Sequence, residues 1–103
     1  MDLKIIGEHI EVSEPIRDYI IEKFKHLPIP DKMHHAEFRI GKDGNHIQHV
    51  KFSANFNHKN LTIDVKADNV YHAVDQLMKK LHTNLTKDKE KDKSHNKHLH
   101  KIN

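Results

Sequence analysis

The sequence contains no cysteine and only three glycines and three prolines in 103 residues. Without cysteine, the chain has no disulfide bond, no thiolate metal ligand and no thiol nucleophile. No apolar run approaches the roughly 20 residues that a membrane-spanning helix needs. The N-terminal residues also lack the apolar segment and cleavage site of a signal peptide. We therefore expect a cytoplasmic protein that does not act at a membrane.

Glycine is too scarce to build a phosphate-binding loop. Gly7, Gly41 and Gly44 stand where strands are predicted to stop or turn, and none belongs to a glycine-rich motif. Ser53 and Asp64 are not accompanied by a recognisable catalytic partner. We expect a protein that is not an enzyme and that uses no cofactor and no small-molecule substrate.

Twelve histidines are many for this length, but their spacing does not predict a metal site. His34 and His35 are adjacent on a predicted strand, so their side chains point to opposite faces. His95, His98 and His100 lie in a C-terminal segment with no predicted scaffold to make them converge. Their stronger effect is electrostatic, because protonation near pH ~6 makes the chain more cationic.

Positive charge is concentrated at the C-terminal end. Residues 79–103 carry a net charge of +5, whereas residues 1–78 carry −2. A basic end on a nearly neutral domain is typical of proteins that bind a polyanion, nucleic acid before acidic membrane. A solvated, lysine-rich helix end explains the same pattern, so charge alone leaves both interpretations open.

The most regular segment of the sequence is residues 69–91, which we predict to be one amphipathic helix capped by Asn69. Its apolar residues recur at helical spacing: Val70, Ala73, Val74, Leu77, Met78, Leu81 and Leu85. At about 100° per residue, Lys80, Lys87 and Lys91 fall within about 40° of one another on one flank of this stripe. The helix can therefore bury one side and present a basic row beside it.

Four strands and another helix precede this segment. Alternating apolar and polar residues predict strands at 2–7, 34–40, 45–57 and 61–67, with a turn at 41–44. Ile47 breaks the alternation, which predicts a bulge or frayed start near His49. Ser13 is expected to cap a helix that ends before the prolines that follow residue 27. The order β-α-β-β-β-α predicts an α+β domain with a four-stranded sheet.

Each predicted strand has one apolar face, so both helices are expected side by side on that face. Basic residues of both helices would then rim the groove between them or face outward near it: Lys23, Lys25, Lys79, Lys80, Lys87 and Lys91. Lysines act on phosphates as point charges and read little sequence. This arrangement favours recognition of a folded RNA by shape and backbone.

Two blocks of the sequence resemble a known family. They are GEHIEVSEPIRDYIIEKFKHL, starting at Gly7, and ADNVYHAVDQLMKKL, starting at Ala67 and continuing to Lys87. Together with the strands between them, they are similar to the bacterial ribosome hibernation-promoting factors. That family also includes the ribosome-associated translation inhibitor and was formerly described as sigma-54 modulation proteins. The resemblance covers about residues 1–91.

Residues 92–103 have no useful periodicity, and we expect them to form a flexible, basic His/Lys-rich tail. The resemblance implies a fold like that of double-stranded RNA-binding domains, with residues 1–91 as the ribosome-binding domain. It implies binding to 16S rRNA in the mRNA and tRNA channel of the 30S subunit, across the A and P sites. Translation would then stop in stationary phase or stress. The family's basic positions correspond here to Arg17, Lys23, Lys25, Lys80 and Lys87, and Lys79, Lys89 and Lys91 extend the same surface.

The sequence departs from the family in two respects. Where the family often has further arginines, residues 82–86 read HTNLT. The chain also has no room for the second, dimerisation domain of the long forms, so a short form, monomeric off the ribosome, is expected. Promotion of 100S dimers and inactivation of 70S monomers both stay open. The alternative function is a general structured-RNA-binding or protein-interaction module.

Overall fold

The computed structural model describes the backbone of residues 1–102 and the side chains of residues 1–87. The elements follow in the predicted order β-α-β-β-β-α. They are β1 (Asp2–Gly7), α1 (Glu14–Lys25), β2 (His35–Asp43), β3 (Ile47–Phe56), β4 (Lys59–Ala67) and α2 (Val70–Ile102). The α+β class and the element order predicted from the sequence are confirmed.

The four strands form one sheet in the order β1-β2-β3-β4. β1 and β2 are parallel, and α1 connects them, as a crossover connection requires. β2–β3 and β3–β4 are antiparallel hairpins. β1 and β4 are therefore the two edges of the sheet.

One face of the sheet is covered by both helices. α1 reaches it through Phe24, whose ring lies 5.7 Å from Phe38 and 6.1 Å from Phe52, centroid to centroid. α2 packs over β3 and β4, and its residues Leu77 and Leu81 are fully buried. Burying one such side chain stabilises the fold by about 1.5–3 kcal/mol, so the apolar parity of the strands fixes which face the helices cover.

The connection between α1 and β2 contributes one core residue that the sequence patterns did not predict. Met33 is only 2% exposed and packs in the main hydrophobic cluster. It lies in an irregular segment, where neither helical nor strand periodicity applies. A single apolar residue in such a segment can thus anchor the loop to the core.

Several predictions of local structure were wrong, including the start of β4, which lies at Lys59 and not at residue 61. β2 continues through Gly41 to Asp43, so the predicted turn at 41–44 is shifted towards residues 44–46. No bulge occurs near His49, because β3 pairs without interruption from Ile47 onward, and Ile47 is simply 42% exposed. α2 extends beyond residue 91 to Ile102. The predicted flexible tail, residues 92–103, lies outside the residues whose side chains are described, so it stays a prediction.

Gly7 is required by a close approach of the chain. A Cβ atom at this position would collide with the backbone carbonyl of Ile10. His9, in the same connection, has a φ of 61°. The chain therefore folds back tightly between β1 and α1, and this tight return sets where α1 begins.

Candidate RNA-binding face

Local sequence determines where α1 begins and which side it exposes. Ser13 caps the helix, and its hydroxyl accepts a hydrogen bond from the backbone N–H of Ile16 at 3.4 Å. Ile20 and Phe24 are buried against the core. The candidate cations of this helix are all exposed to solvent: Arg17, Lys23 and Lys25.

α2 is placed in the same way. The side-chain oxygen of Asn69 accepts hydrogen bonds from the backbone N–H groups of Tyr71 at 2.7 Å and His72 at 3.4 Å, which confirms Asn69 as the cap. The predicted apolar stripe is buried against the sheet, apart from the half-buried Val70. Lys79, Lys80 and Lys87 are exposed.

Tyr19 joins the two helices. Its hydroxyl donates a hydrogen bond of 2.5 Å to the Asp75 carboxylate on α2. Its ring meets the edge of Tyr71 at 5.0 Å between centroids. The hydrogen bond to Asp75 is the main cause that raises the pKa of Tyr19 above its ordinary value, with burial and the Asp75 charge adding to it. The bond favours the neutral phenol and fixes the spacing of the helices.

A groove of about 370 Å³ lies between the helices beside this contact. The ammonium of Lys23 stands 5.4 Å from the centroid of the Tyr19 ring, within range of a cation–π interaction. The lining residues come from both helices: Lys23, Leu27, Asp75, Met78, Lys79 and His82. Of the predicted cations, the groove therefore brings Lys23 and Lys79 together.

A second groove, of about 500 Å³, runs along the other flank of α2 beside the edge strand β4. Its lining residues are Thr62, Ile63, Asp64, Lys79, Lys80, Thr83, Asn84 and Lys87. Lys80 and Lys87 thus lie towards β4 and do not line the interhelical groove. α2 therefore separates the predicted basic surface into two grooves. Lys79 lines both grooves and so connects them.

The uncharged stretch between Lys80 and Lys87 is tied to the helix backbone. The Thr83 hydroxyl donates to the Lys79 carbonyl at 3.0 Å, and the Asn84 amide donates to the Lys80 carbonyl at 2.9 Å. These bonds occupy polar groups that line the β4 groove. The lysines are consequently the main source of affinity for an anion in this groove.

The remaining candidate cations are more scattered. Lys25 forms an ion pair of 2.7 Å with Glu22. Hydrogen bonds from Lys25 and then His26 hold the pKa of Glu22 below its usual range. Arg17 is exposed but lines neither groove. Lys89 and Lys91 lie outside the residues whose side chains are described.

Sequence reasoning missed Asp75 and His82 as groove residues. They are seven positions apart in the sequence, so on a helix they lie on nearly the same side, beside the apolar stripe. The sequence shows this spacing, but it does not show whether that side of α2 faces α1. Tyr71 packs against Tyr19 and stays 37% exposed.

The uncovered face of the sheet has a mixed charge pattern. Its own groove, of about 460 Å³, is lined by residues that include Asp2, Lys4 and Glu37. The Arg39 guanidinium pairs with Glu37 at 2.8 Å. Acids outnumber lysines in the lining of this groove, whereas lysines outnumber acids in the two helical grooves, so this face offers less attraction to a polyanion.

Within the described part of the chain, no three histidine or acidic side chains are grouped so that they can hold a metal ion. None of its helices combines the length and apolarity needed to cross a bilayer.

Comparisons with solved structures identify the same fold. A ribosomal subunit interface protein from Coxiella burnetii superposes with a TM-score of 0.80 over 87% of this chain and 99% of its own, at 22% identity. The N-terminal domain of Protein Y from Thermus thermophilus gives a TM-score of 0.72 over 84% of this chain and 98% of its own, at 20% identity. At this level of identity, the likeness concerns the fold alone.

Comparison of sequences identifies the family. A ribosome hibernation promoting factor from Pseudomonas putida is 32% identical over 95 residues, which cover 91% of this chain and 92% of that protein. The family described as "Sigma 54 modulation protein / S30EA ribosomal protein" matches residues 3–93. The resemblance seen in the two sequence blocks is thereby confirmed, and the chain belongs to this family.

Proposed function

We propose that the protein is a ribosome hibernation factor that binds the 30S subunit in the mRNA and tRNA channel. Its helical face would contact 16S rRNA across the A and P sites and so inhibit translation in stationary phase or stress. The protein would act in the cytoplasm, without enzymatic activity, and would be a monomer off the ribosome. The observation that carries the proposal is the pair of lysine-lined grooves that meet at Lys79.

The charge arrangement supports a nucleic-acid partner. Lys79, Lys80 and Lys87 are exposed within about two turns of one helix, and each can neutralise a phosphate. Neutralised phosphates release counterions, which gives affinity that falls steeply with salt. The uncovered face of the sheet, with its mixed charges, provides no comparable cluster. The helical face is therefore the proposed contact surface.

The fold supports a structured RNA over an extended single strand. The aromatic residues of the strands, Phe38, Phe52 and Phe56, are all buried and cannot stack on bases. The sheet therefore offers no aromatic platform of the kind that single-strand RNA binders use. Grooves flanking a helix suit the backbone of a folded RNA, where shape and phosphate spacing are recognised.

The names of the relatives supply the specific partner in this proposal. The Pseudomonas putida relative is called a ribosome hibernation promoting factor, and the Coxiella burnetii structure a ribosomal subunit interface protein. A short basic domain of the same family is proposed to act on the same large RNA-protein particle. The alternative, a general structured-RNA module, needs the same charges but no specific site.

The test is a salt titration of binding to purified 30S subunits with the variant Lys80→Gln plus Lys87→Gln. Each lysine that contacts a phosphate contributes about one to the slope of log K against log salt. We expect the double variant to bind more weakly and to lose about two from this slope. Lys4→Gln plus Lys51→Gln removes the same charge from the uncovered sheet face and should leave the slope nearly unchanged.

Equal losses in the two double variants would contradict the proposed contact surface. Equal affinity of the wild-type protein for 30S subunits and for any duplex RNA would favour the general RNA-binding alternative. Sedimentation of ribosomes through sucrose with added protein distinguishes the two modes of inhibition that stay open. A shift to 100S would indicate promotion of dimers, and persistence at 70S would indicate inactivation of single ribosomes.

A further inference from the structure

The interhelical groove contains a carboxylate, which a purely phosphate-binding groove does not need. Asp75 lines it together with Lys23 and Lys79, so the described charges of the groove are mixed. A phosphate placed there would gain from the ammonium groups but would be repelled by the carboxylate. The β4 groove, with three lysines and Asp64, is the better place for phosphates.

Two apolar side chains, Leu27 and Met78, also line this groove. Leu27 is half-buried and supplies most of their open surface, because Met78 is only 6% exposed. A phosphate gains nothing from these side chains, whereas the flat face of a nucleobase packs on them favourably. The groove volume of about 370 Å³ falls at the lower end of the roughly 300–1,000 Å³ that small-ligand sites occupy.

The polar groups at the groove match one base better than the others. A carboxylate accepts two hydrogen bonds side by side, and Asp75 is oriented by the Tyr19 hydroxyl, which bonds to its Oδ1 at 2.5 Å. Guanine presents two adjacent donors, N1–H and the N2 amino group, next to the acceptor O6. Its donors suit Asp75, and its O6 suits the ammonium of Lys23 or Lys79.

Adenine, cytosine and uracil fit this set less well. Adenine and cytosine each offer an amino donor beside a ring nitrogen that accepts, which would face the carboxylate unfavourably. Uracil offers one donor between two carbonyl oxygens. Only guanine combines two adjacent donors with a neighbouring acceptor on one edge, in the order that a carboxylate and an ammonium require.

We propose that the groove between α1 and α2 binds an unpaired guanine base of the RNA partner, with Asp75 accepting from its Watson–Crick edge. The inference rests on the proposed function, because it supplies that function with a base-specific contact beside the phosphate-binding lysines. Single-stranded positions of a folded RNA expose this edge, whereas a regular duplex does not. The groove therefore distinguishes a particular RNA fold from a generic one.

The test compares uridine-flanked RNA hexamers that differ at one central position: guanosine, inosine or adenosine. Inosine lacks only the N2 amino group, so it removes one of the two bonds to Asp75. We expect the wild-type protein to bind the guanosine hexamer about five- to tenfold more tightly than the inosine hexamer, and adenosine no better than inosine. Fluorescence anisotropy gives the affinities, and the methyl resonance of Met78 locates the base.

The matched variants are Asp75→Asn and Asp18→Asn, which remove the same charge inside and outside the groove. Asp75→Asn should abolish the preference for guanosine, whereas Asp18→Asn, which is exposed on α1, should keep it. Equal affinity of the wild-type protein for all three hexamers would overturn the inference without needing any variant. A guanosine preference that survives Asp75→Asn, or an unshifted Met78 methyl, would overturn it as well.

Binding to 30S subunits is measured on the same preparations. Absence of a guanosine preference in the wild-type protein, together with intact 30S binding, would refute the base site and leave the proposed function standing. A guanosine preference without 30S binding would refute the proposed function and leave the base site.

Discussion

At the scale of single residues, Tyr19 is the side chain on which the geometry of the helical face depends most. It bonds to Asp75, meets Tyr71 edge-on and lies under the ammonium of Lys23. The contacts with Asp75 and Tyr71 join α1 to α2 outside the main core. The spacing of Lys23 and Lys79 across the groove follows from this contact.

Replacing Tyr19 by phenylalanine should lower the free energy of unfolding by about 1 kcal/mol at neutral pH, because a hydrogen bond to a carboxylate is lost while the ring is kept. Urea unfolding measures the change. Tyr71→Phe is the matched control, because within the described residues the Tyr71 hydroxyl makes no hydrogen bond that the substitution would remove. Equal stabilities of the two variants would contradict the role given to Tyr19.

The same bond predicts a pH dependence with a definite sign. The folded pKa of Tyr19 is raised above the ordinary value of 10.0. The stabilisation is therefore fully present below the pKa of the unfolded tyrosine and is lost as the pH rises through the folded pKa. The difference in stability between wild type and Tyr19→Phe should shrink over that alkaline range.

The sequence correctly predicted the exposure of residues where this depends on a single helix. It did not predict features that depend on how two helices face each other. Exposure of Lys79, Lys80 and Lys87 follows from their angle relative to the apolar stripe of α2. The presence of Asp75 in a groove depends on which flank of α2 faces α1. A hydrophobic pattern fixes the side of a helix that is buried but does not identify its neighbour.

At the scale of elements, the β3–β4 hairpin shows a local conflict between sequence and backbone. Its two turn residues, Asn57 and His58, have φ angles of 52° and 61°. Phe56 and Lys59 pair across them, which makes a two-residue loop of the primed type. Asparagine tolerates this conformation, but histidine at the second position is less favourable than the usual glycine.

Replacing His58 by glycine should raise the free energy of unfolding by up to about 1 kcal/mol. Glycine removes the steric cost of the left-handed conformation, which exceeds the entropy that it loses on folding. Thermal unfolding should show a Tm increase of up to about 4–8 °C for a domain of this size. His58→Ala is the control and should lower the Tm, and a lower Tm for His58→Gly would contradict the account.

Element boundaries were predicted well where a residue blocks continuation and poorly where none does. Ser13 and Asn69 cap their helices as expected, because a side-chain acceptor there satisfies backbone donors. Gly41 was expected to end β2, yet it pairs with His49 inside the ladder. Ile47 was expected to cause a bulge or a frayed start near His49, but an exposed apolar residue is common enough to need no compensation.

At the scale of the whole molecule, the two faces have different compositions for physical reasons. The helices cover the apolar side of the sheet and bring lysines to two adjoining grooves. The other side keeps the polar residues of the strands, with ion pairs such as Lys66–Asp43 at 2.7 Å and Arg39–Glu37 at 2.8 Å. The fold therefore separates a surface that attracts polyanions from one that is internally neutralised.

The fold was predictable from the sequence to a greater extent than the site. Strand parity and helix periodicity together leave few ways to bury both helices, and the predicted order was confirmed. The division of the lysines between two grooves was not predictable, since it depends on the rotation of α2 over β3 and β4. Family membership, confirmed over residues 3–93, connects this surface with ribosomes only through the function proposed above.

If the helical face occupies the tRNA-binding channel of the small subunit, as proposed, the protein and initiator tRNA must compete for purified 30S subunits. We expect saturable binding of one protein per subunit, with labelled initiator tRNA released in proportion. Lys80→Gln plus Lys87→Gln should need a higher concentration for the same release. Simultaneous binding of protein and initiator tRNA at saturating concentrations of both would contradict the proposed binding site.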